Sequence, residues 1–271
     1  MRSLDVLRVP THRVRVPLLP LHQAHDPRAL IARWREVAKA AGMQMKVLVE
    51  MDGEKVFYLQ KRDRLASPPV YLSTGVHGDE PGSAWGLLAW AQREIEQLRH
   101  GNHLIFPCMN PHGLRANTRL DRRGFDINRR FHIDTDPLCG PWLDIVKQSV
   151  PRLGLCLHED YDAQGFYVYE LNDLPKTASY DILKKCAKHM SADPRRMIDG
   201  RRSRDGVIRP RAIPTTLPGM PEAIVLWQLG CPFTLTFETP SEFSLDDRVR
   251  TQADFVDAAI RLAARTSNHQ P

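Results

Sequence analysis

Long apolar runs are missing from this sequence. No stretch of about 18 uninterrupted apolar residues occurs in it, which excludes a transmembrane helix of ordinary length. The segment Met1 to Pro10 carries charge but no apolar core of signal-peptide size, so a cytoplasmic protein with no membrane partner is the expectation. Cysteine is sparse: Cys108, Cys139, Cys156, Cys186 and Cys231 are odd in number and scattered, with no Cys-x-x-Cys pair. That argues against a zinc ribbon, a dithiol redox motif and a disulfide framework. Aromatics are only 7% of the chain and no RNP-like motif accompanies them, so the net charge of +6 does not make nucleic acid the expected partner. Repeats, linkers and low-complexity tracts are absent too. The expectation is one domain over residues 1–271, with a helix-and-hairpin portion at 1–68 and a core at 69–271.

What remains is ordinary globular material. With 271 residues, 42% hydrophobic and 26% charged, wholesale disorder is excluded. Residues 26–41 predict a helix: Asp26 at the N-cap, Pro27 in the first turn, an apolar stripe of Leu30, Ile31, Trp34 and Val37, and Gly42 past the end. Residues 44–61 predict a hairpin around Asp52-Gly53. Short apolar runs follow at 69–74, 103–107, 153–158, 166–170 and 233–238. Helical patterns separate them: one after residue 81 with Trp85, Leu88, Ala91, Ile95 and Leu98 in its stripe, then about 138–150, 176–190, 219–229 and 245–266. Alternating strands and helices imply an α/β sheet covered on both faces, with ligands at the carboxyl ends of strands.

Candidate chemistry gathers at those strand ends. His77-x-x-Glu80 follows the run ending at Thr74, and an imidazole and a carboxylate at short spacing can converge on one zinc ion. Gly75, Gly78 and Gly82 flank the pair and allow the backbone to bend closely around a ligand. His158 ends the run Leu153 to Leu157 and would be a third ligand, the number a catalytic zinc keeps while leaving one position open. Glu238 ends the run from Phe233; in a dry cleft its pKa would rise, which suits general-base work, whereas in water it would be a plain surface acid or helix cap. Asn110-Pro111-His112-Gly113, Arg119 and Gly124-Phe125-Asp126-Ile127-Asn128-Arg129 supply forks for carboxylates and oxyanions.

Taken in order, these residues resemble the zinc carboxypeptidase family related to carboxypeptidase A. The similarity is strongest to its bacterial branch, near the murein peptide amidases, succinylglutamate desuccinylases and aspartoacylases, and it covers roughly residues 69–240. The resemblance implies an α/β/α sandwich around a mixed, twisted, mostly parallel sheet. It also implies a metallocarboxypeptidase or amidase with one zinc ion held by His77, Glu80 and His158, and with Asp126 orienting His77. Arg119 would polarise the scissile carbonyl, Asn128 and Arg129 would clamp the substrate's free carboxylate, and Glu238 would act as general base. His112 stands where the family commonly has Asp, and no tyrosine follows Tyr180, although family members place one before the general base. Tyr161, Tyr167, Tyr169 and Tyr180 remain open as its replacement.

Three other readings compete. An N-acyl amino-acid deacylase of the desuccinylase and aspartoacylase type would use the same metal and base. A metal-free binding protein would keep the fold without activity, and a nucleic-acid module would show binding that falls steeply with salt. Between Arg195 and Arg211 lie seven arginines (195, 196, 201, 202, 204, 209 and 211), a run that most often forms a solvated loop. Its place between His158 and Glu238 leads to the expectation that it lies near the cleft and attracts acidic substrates.

Overall fold

A computed structural model describes residues 23–51, 53–62, 67–172, 176–210, 212–213 and 218–267. Met1 to Pro10, Asp52 and Arg211, about which the sequence raised expectations, lie outside the described residues.

The chain opens with α1 (Pro27–Ala41), whose start and end are set by local chemistry. The Asp26 carboxylate accepts from the N–H groups of Arg28 (2.9 Å) and Ala29 (3.1 Å), and Gly42 closes the last turn at φ 64°. The hairpin β1 (Met43–Met51) and β2 (Glu54–Lys61) follows, then β3 (Val70–Ser73) and α2 (Pro81–Arg93). The single helix expected after residue 81 breaks at Glu94 (φ −111°) into α2 and a short α3 (Ile95–His100). Next come β4 (His103–Phe106), α4 (Pro111–Ala116), α5 (Cys139–Gln148), β5 (Leu153–Asp160) and β6 (Tyr167–Asn172). The chain continues with α6 (Ser179–Cys186), β7 (Met197–Ile198), β8 (Arg201–Arg202) and β9 (Val207–Ile208), and ends with α7 (Glu222–Gln228), β10 (Phe233–Pro240) and α8 (Leu245–Ser267).

Eight strands form one sheet in the order β1-β2-β4-β3-β5-β10-β6-β9. Its centre, β4-β3-β5-β10, is parallel; β1, β2 and β6 join antiparallel and β9 joins β6 parallel. The fold is therefore α/β with a mixed sheet, as the alternation of elements implied. Helices cover both faces: α1, α2, α6 and α8 share one core cluster, and α5 and α7 share the other. None of the described helices is long and apolar enough to cross a membrane.

β10 shows how the sequence pattern positions the site. Phe233, Leu235 and Phe237 enter the α8-side core, where Phe237 stacks on Phe255 of α8 with ring centroids 3.9 Å apart. Thr234, Thr236 and Glu238, the alternate residues, then necessarily face the other way, into a cavity beside α7. Register completes the picture. Glu238 pairs with His158 of β5 on one side and Tyr167 of β6 on the other, and Thr236 pairs with Cys156 and Tyr169.

The arginine run is not a loose loop. Its middle is the hairpin β7–β8, and β9 extends the main sheet.

Away from the cavity, His103 is 2% exposed beneath Trp90. Burial, with Arg152 adding to it, pushes its pKa down to about 4. Between pH 6.5 and 4 the unfolded chain then binds a proton that the folded chain refuses, so stability falls as pH drops through that window. We expect His103→Gln to remove up to about 3 kcal/mol of this acid sensitivity. Urea unfolding at pH 7.5 and pH 4.5 measures it, and equal acid slopes for the two proteins would refute the assignment.

Candidate metal centre and substrate cavity

His77 and Glu80 sit in the turn between β3 and α2, and His158 is on β5, the next strand in the sheet. The adjacency of the two strands brings together residues far apart in sequence. His77 Nδ1 lies 2.5 Å from Glu80 Oε1, and His158 Nδ1 lies 2.8 Å from Glu80 Oε2. One donor atom from each residue falls within 4.8 Å of the others, and this is the group of potential metal ligands found among the described residues. All three are buried, at 2–3% exposure.

The electrostatics follow from that burial. Burial alone would drive His77 neutral, but the Glu80 carboxylate and Asp126 outweigh it and hold its pKa up at about 9. His158 is raised for the same reason, burial being overcome by Glu80. Burial penalises the Glu80 charge, yet the two imidazoles bring its pKa down to about 2. A buried carboxylate facing two inward-turned imidazoles is a donor set suited to a divalent cation, with zinc the natural fit for nitrogen and oxygen ligands.

Around this centre the structure gathers the other residues singled out in the sequence. Asp126 Oδ1 is 3.1 Å from His77 Nε2, on the opposite side of the ring from Glu80, while its Oδ2 accepts from Arg119 Nε (3.1 Å) and Nη2 (3.0 Å). Burial opposes the Asp126 charge, but His77 and then Arg119 keep its pKa well below the usual range. Arg119 Nη1 reaches to 3.3 Å from His77 Nδ1. Asn128 Oδ1 accepts from the Glu222 N–H at 3.0 Å, so its amide nitrogen is the end left to donate. Arg119, Asn128, Arg129 and Glu238 all line one cavity of about 500 Å³ together with the metal cluster. Burial raises the Glu238 pKa well above its usual value, even though His158 opposes this. Of the four open tyrosines, Tyr167 and Tyr169 line the cavity; Tyr161 is 57% exposed and Tyr180 packs against the α8-side core.

Two of the three glycines are also points of close packing. A Cβ on Gly78 would lie 1.8 Å from the Gly113 carbonyl carbon, so residue 78 is the point where the ligand turn and α4 touch backbone to backbone. Gly82 has the Glu159 carboxylate against it, and its N–H donates to Glu159 Oε2 at 2.9 Å.

Two acids here carried no sequence signal. Glu222 is fully buried and lines the cavity; it accepts from the Tyr71 hydroxyl and, at 2.5 Å, from Ser73 Oγ. Glu159, next to His158, accepts from Arg248 Nη1 at 3.0 and 2.9 Å and ties β5 to α2 and α8. Burial raises Glu159 to about pKa 7, although Arg248 pulls the other way. The partners of Glu159 lie 77 and 89 residues away, beyond any local pattern.

Comparison with known proteins agrees with this geometry. The model of the succinylglutamate desuccinylase/aspartoacylase catalytic domain matches residues 66–137. A candidate metallopeptidase from Shewanella denitrificans superposes with a TM-score of 0.77 at 22% identity, covering 88% of this chain and 90% of its own. The chain shares the fold of these structures, and the segment matched by the desuccinylase/aspartoacylase model lies within it. A metallo-carboxypeptidase from Burkholderia cenocepacia matches with a TM-score of 0.66 at 18% identity over 87% of this chain and 68% of its own. One from Pseudomonas aeruginosa, in complex with (2-guanidinoethylmercapto)succinic acid, matches with a TM-score of 0.61 at 17% identity over 90% of this chain and 70% of its own. No curated protein sequence matches the chain.

Gly78→Ala should push the ligand turn off α4 and cost about 3 kcal/mol or more, since backbone atoms have nowhere to move. Thermal unfolding checks this, and a variant with wild-type stability would show that the contact is dispensable.

Proposed function

We propose that this protein is a zinc-dependent hydrolase of carboxypeptidase type, cleaving a peptide or amide bond next to a free carboxylate. The observation that carries the reading is the convergence of His77, Glu80 and His158 on one point, with Glu238 on the neighbouring strand. Those three residues would hold one zinc ion. When bound, such an ion supplies Lewis acidity and an acidified water.

The chain's own residues account for the remaining steps. Asp126, hydrogen-bonded at His77 Nε2, sets the ring so that Nδ1 faces the ligand point. Glu238 takes the proton of the attacking water and returns it to the leaving amine, and its burial raises its affinity for that proton. Arg119 is held by Asp126 with Nη1 directed at the cluster, where it can meet the negative charge that develops on the carbonyl oxygen. The free amide of Asn128 and the guanidinium of Arg129 receive the substrate's carboxylate. The (2-guanidinoethylmercapto)succinic acid bound to the Pseudomonas enzyme is a carboxylate compound of the kind such a clamp accepts. Small peptides or N-acyl amino acids in the cytoplasm are the proposed substrates.

A deacylase acting on N-acyl amino acids is the second reading, and the desuccinylase/aspartoacylase match over residues 66–137 favours it. C-terminal peptides, murein-type peptides and N-acyl amino acids offered side by side separate the two. In either case hydrolysis should vanish on chelation and return with zinc.

Glu238→Gln should keep its zinc and lose hydrolysis; turnover near the wild-type rate would remove Glu238 from the base role. Arg119→Ala should lower kcat by roughly a hundredfold or more, the effect of one lost oxyanion donor worth about 2.7–4 kcal/mol, with zinc retained. An unchanged kcat would leave Arg119 without that function.

A further inference from the structure

Most of the arginine run sits on a rigid platform. Two tight turns shape it, Asp199-Gly200 with φ of 47° and 70° and Asp205-Gly206 with φ of 50° and 75°. Both are the left-handed pair that two-residue hairpins require. The first turn joins β7 to β8. The second returns the chain to β9: the Arg204 N–H donates to the Val207 carbonyl at 3.0 Å, and the Val207 N–H to the Arg204 carbonyl at 2.9 Å. Three anchors hold the platform on the main sheet. β9 is bonded to β6, Asp199 accepts from the Tyr169 hydroxyl (2.7 Å), and Ile198 and Ile208 are buried in one cluster.

Successive side chains of a strand point opposite ways, and β8 divides its two arginines accordingly. Arg201 lines the substrate cavity, whereas Arg202 lines a separate hollow of about 590 Å³ with Arg195, Arg196, Ser203 and Arg204. Charge in this hollow does not cancel. Arg195 is engaged by Asp193 (2.7 Å), and Arg204 has Asp205 at 3.7 Å in an exposed pair of little worth. Among the described residues the guanidinium groups of Arg196 and Arg202 have neither a hydrogen bond nor an ion pair. Exposed arginines by themselves would be an ordinary solvated face. Ser203 changes that reading. It is 8% exposed, its Oγ is buried without a hydrogen-bond partner, and it lines the same hollow. A buried hydroxyl left unpaired is costly, so its place beside two unneutralised guanidinium groups marks a site that awaits an acceptor.

We infer that this hollow is a binding site for a phosphate group carried by a small molecule, distinct from the catalytic cavity. The donor set selects the class. A carboxylate offers one planar edge, which a single guanidinium fork satisfies. A phosphate monoester carries close to two charges and three outer oxygens, so it can use several donors at once. Arg196 and Arg202 stand on the two arms of the hairpin, and the Ser203 N–H locks those arms together by donating to the Arg196 carbonyl at 2.9 Å. Met197, 52% exposed, and Pro194 line the same hollow and offer apolar surface to the organic part of the ligand. No residue of the hollow lines the substrate cavity, so the site stands whether or not the amide-hydrolase reading does.

Calorimetric titration of the zinc-loaded protein at physiological ionic strength, with AMP, inorganic phosphate, adenosine and succinate as probes, tests the site. AMP and phosphate should bind, and adenosine and succinate should bind at least about tenfold more weakly than AMP, the loss of one charge-assisted hydrogen bond. Arg196→Gln and Arg202→Gln should each weaken AMP by about tenfold to a hundredfold on the same basis, and Arg202→Lys should recover part of the loss. Ser203→Ala separates binding from structure. Its hydroxyl has no partner to lose, so thermal stability without ligand should not fall, while AMP affinity should. Succinate binding as tightly as AMP overturns the ligand class. AMP binding that survives Arg196→Gln and Arg202→Gln combined places the anion elsewhere, such as at the zinc, and overturns the site. A single-stranded DNA oligonucleotide that binds with steep salt dependence while AMP does not would assign the surface to nucleic acid and overturn the inference as well.

Discussion

A carboxylate taken out of water must be met by positive charge or by hydrogen-bond donors, and Glu80, at 3% exposure, is the point where this chain faces that demand. Two imidazoles answer it, one from its own turn and one from the neighbouring strand. The arrangement holds only if β3 and β5 stay adjacent and in register, with Ser73 opposite Cys156. The central sheet is thus more than a scaffold beneath the site, since its strand order is what makes the cluster possible.

Much of the surrounding polar network holds those strand ends in place. Gln252 of α8 donates to the His158 carbonyl at 2.7 Å and to Thr239 at 3.0 Å, and Arg248, one turn earlier, grips Glu159. On the other face a chain of contacts runs from Trp142 through Tyr71 to Glu222, whose backbone N–H then fixes Asn128. Helices on both sides of the sheet therefore act on the same few residues. Cavity-lining groups are thus held by buried hydrogen-bond partners, which gives a polar cavity rigidity.

The cavity combines three kinds of surface: the His77-Glu80-His158 cluster, a wall of polar residues from alternate positions of β10 and β6, and arginines brought in by the segment after α4 and by the β7–β8 hairpin. Alternation along β10 divides labour within one strand, its phenylalanines and Leu235 building the core and Thr234, Thr236 and Glu238 facing the cavity. The same strand thus couples stability to function. A change of register by one residue would exchange the two sets.

Reading the chain alone reached further on some features than on others. The first helix was legible because Asp26, Pro27 and Gly42 each act on backbone groups within a few residues, and the five core strand runs were legible because their apolar residues are contiguous. His77, Glu80, His158 and Glu238 could be named because each stands at the end of such a run. Glu159 and Glu222 could not, since their meaning lies in Arg248, Gly82, Tyr71 and Ser73, which only folding brings near. The arginine run shows the division most clearly. Its composition determined that positive charge would lie between His158 and Glu238, but folding decided that Arg209 meets Glu170, 39 residues away, and that Arg201 faces the cavity, while Arg195 pairs locally with Asp193. Local chemistry wrote the elements; strand adjacency and register decided which of their side chains would meet.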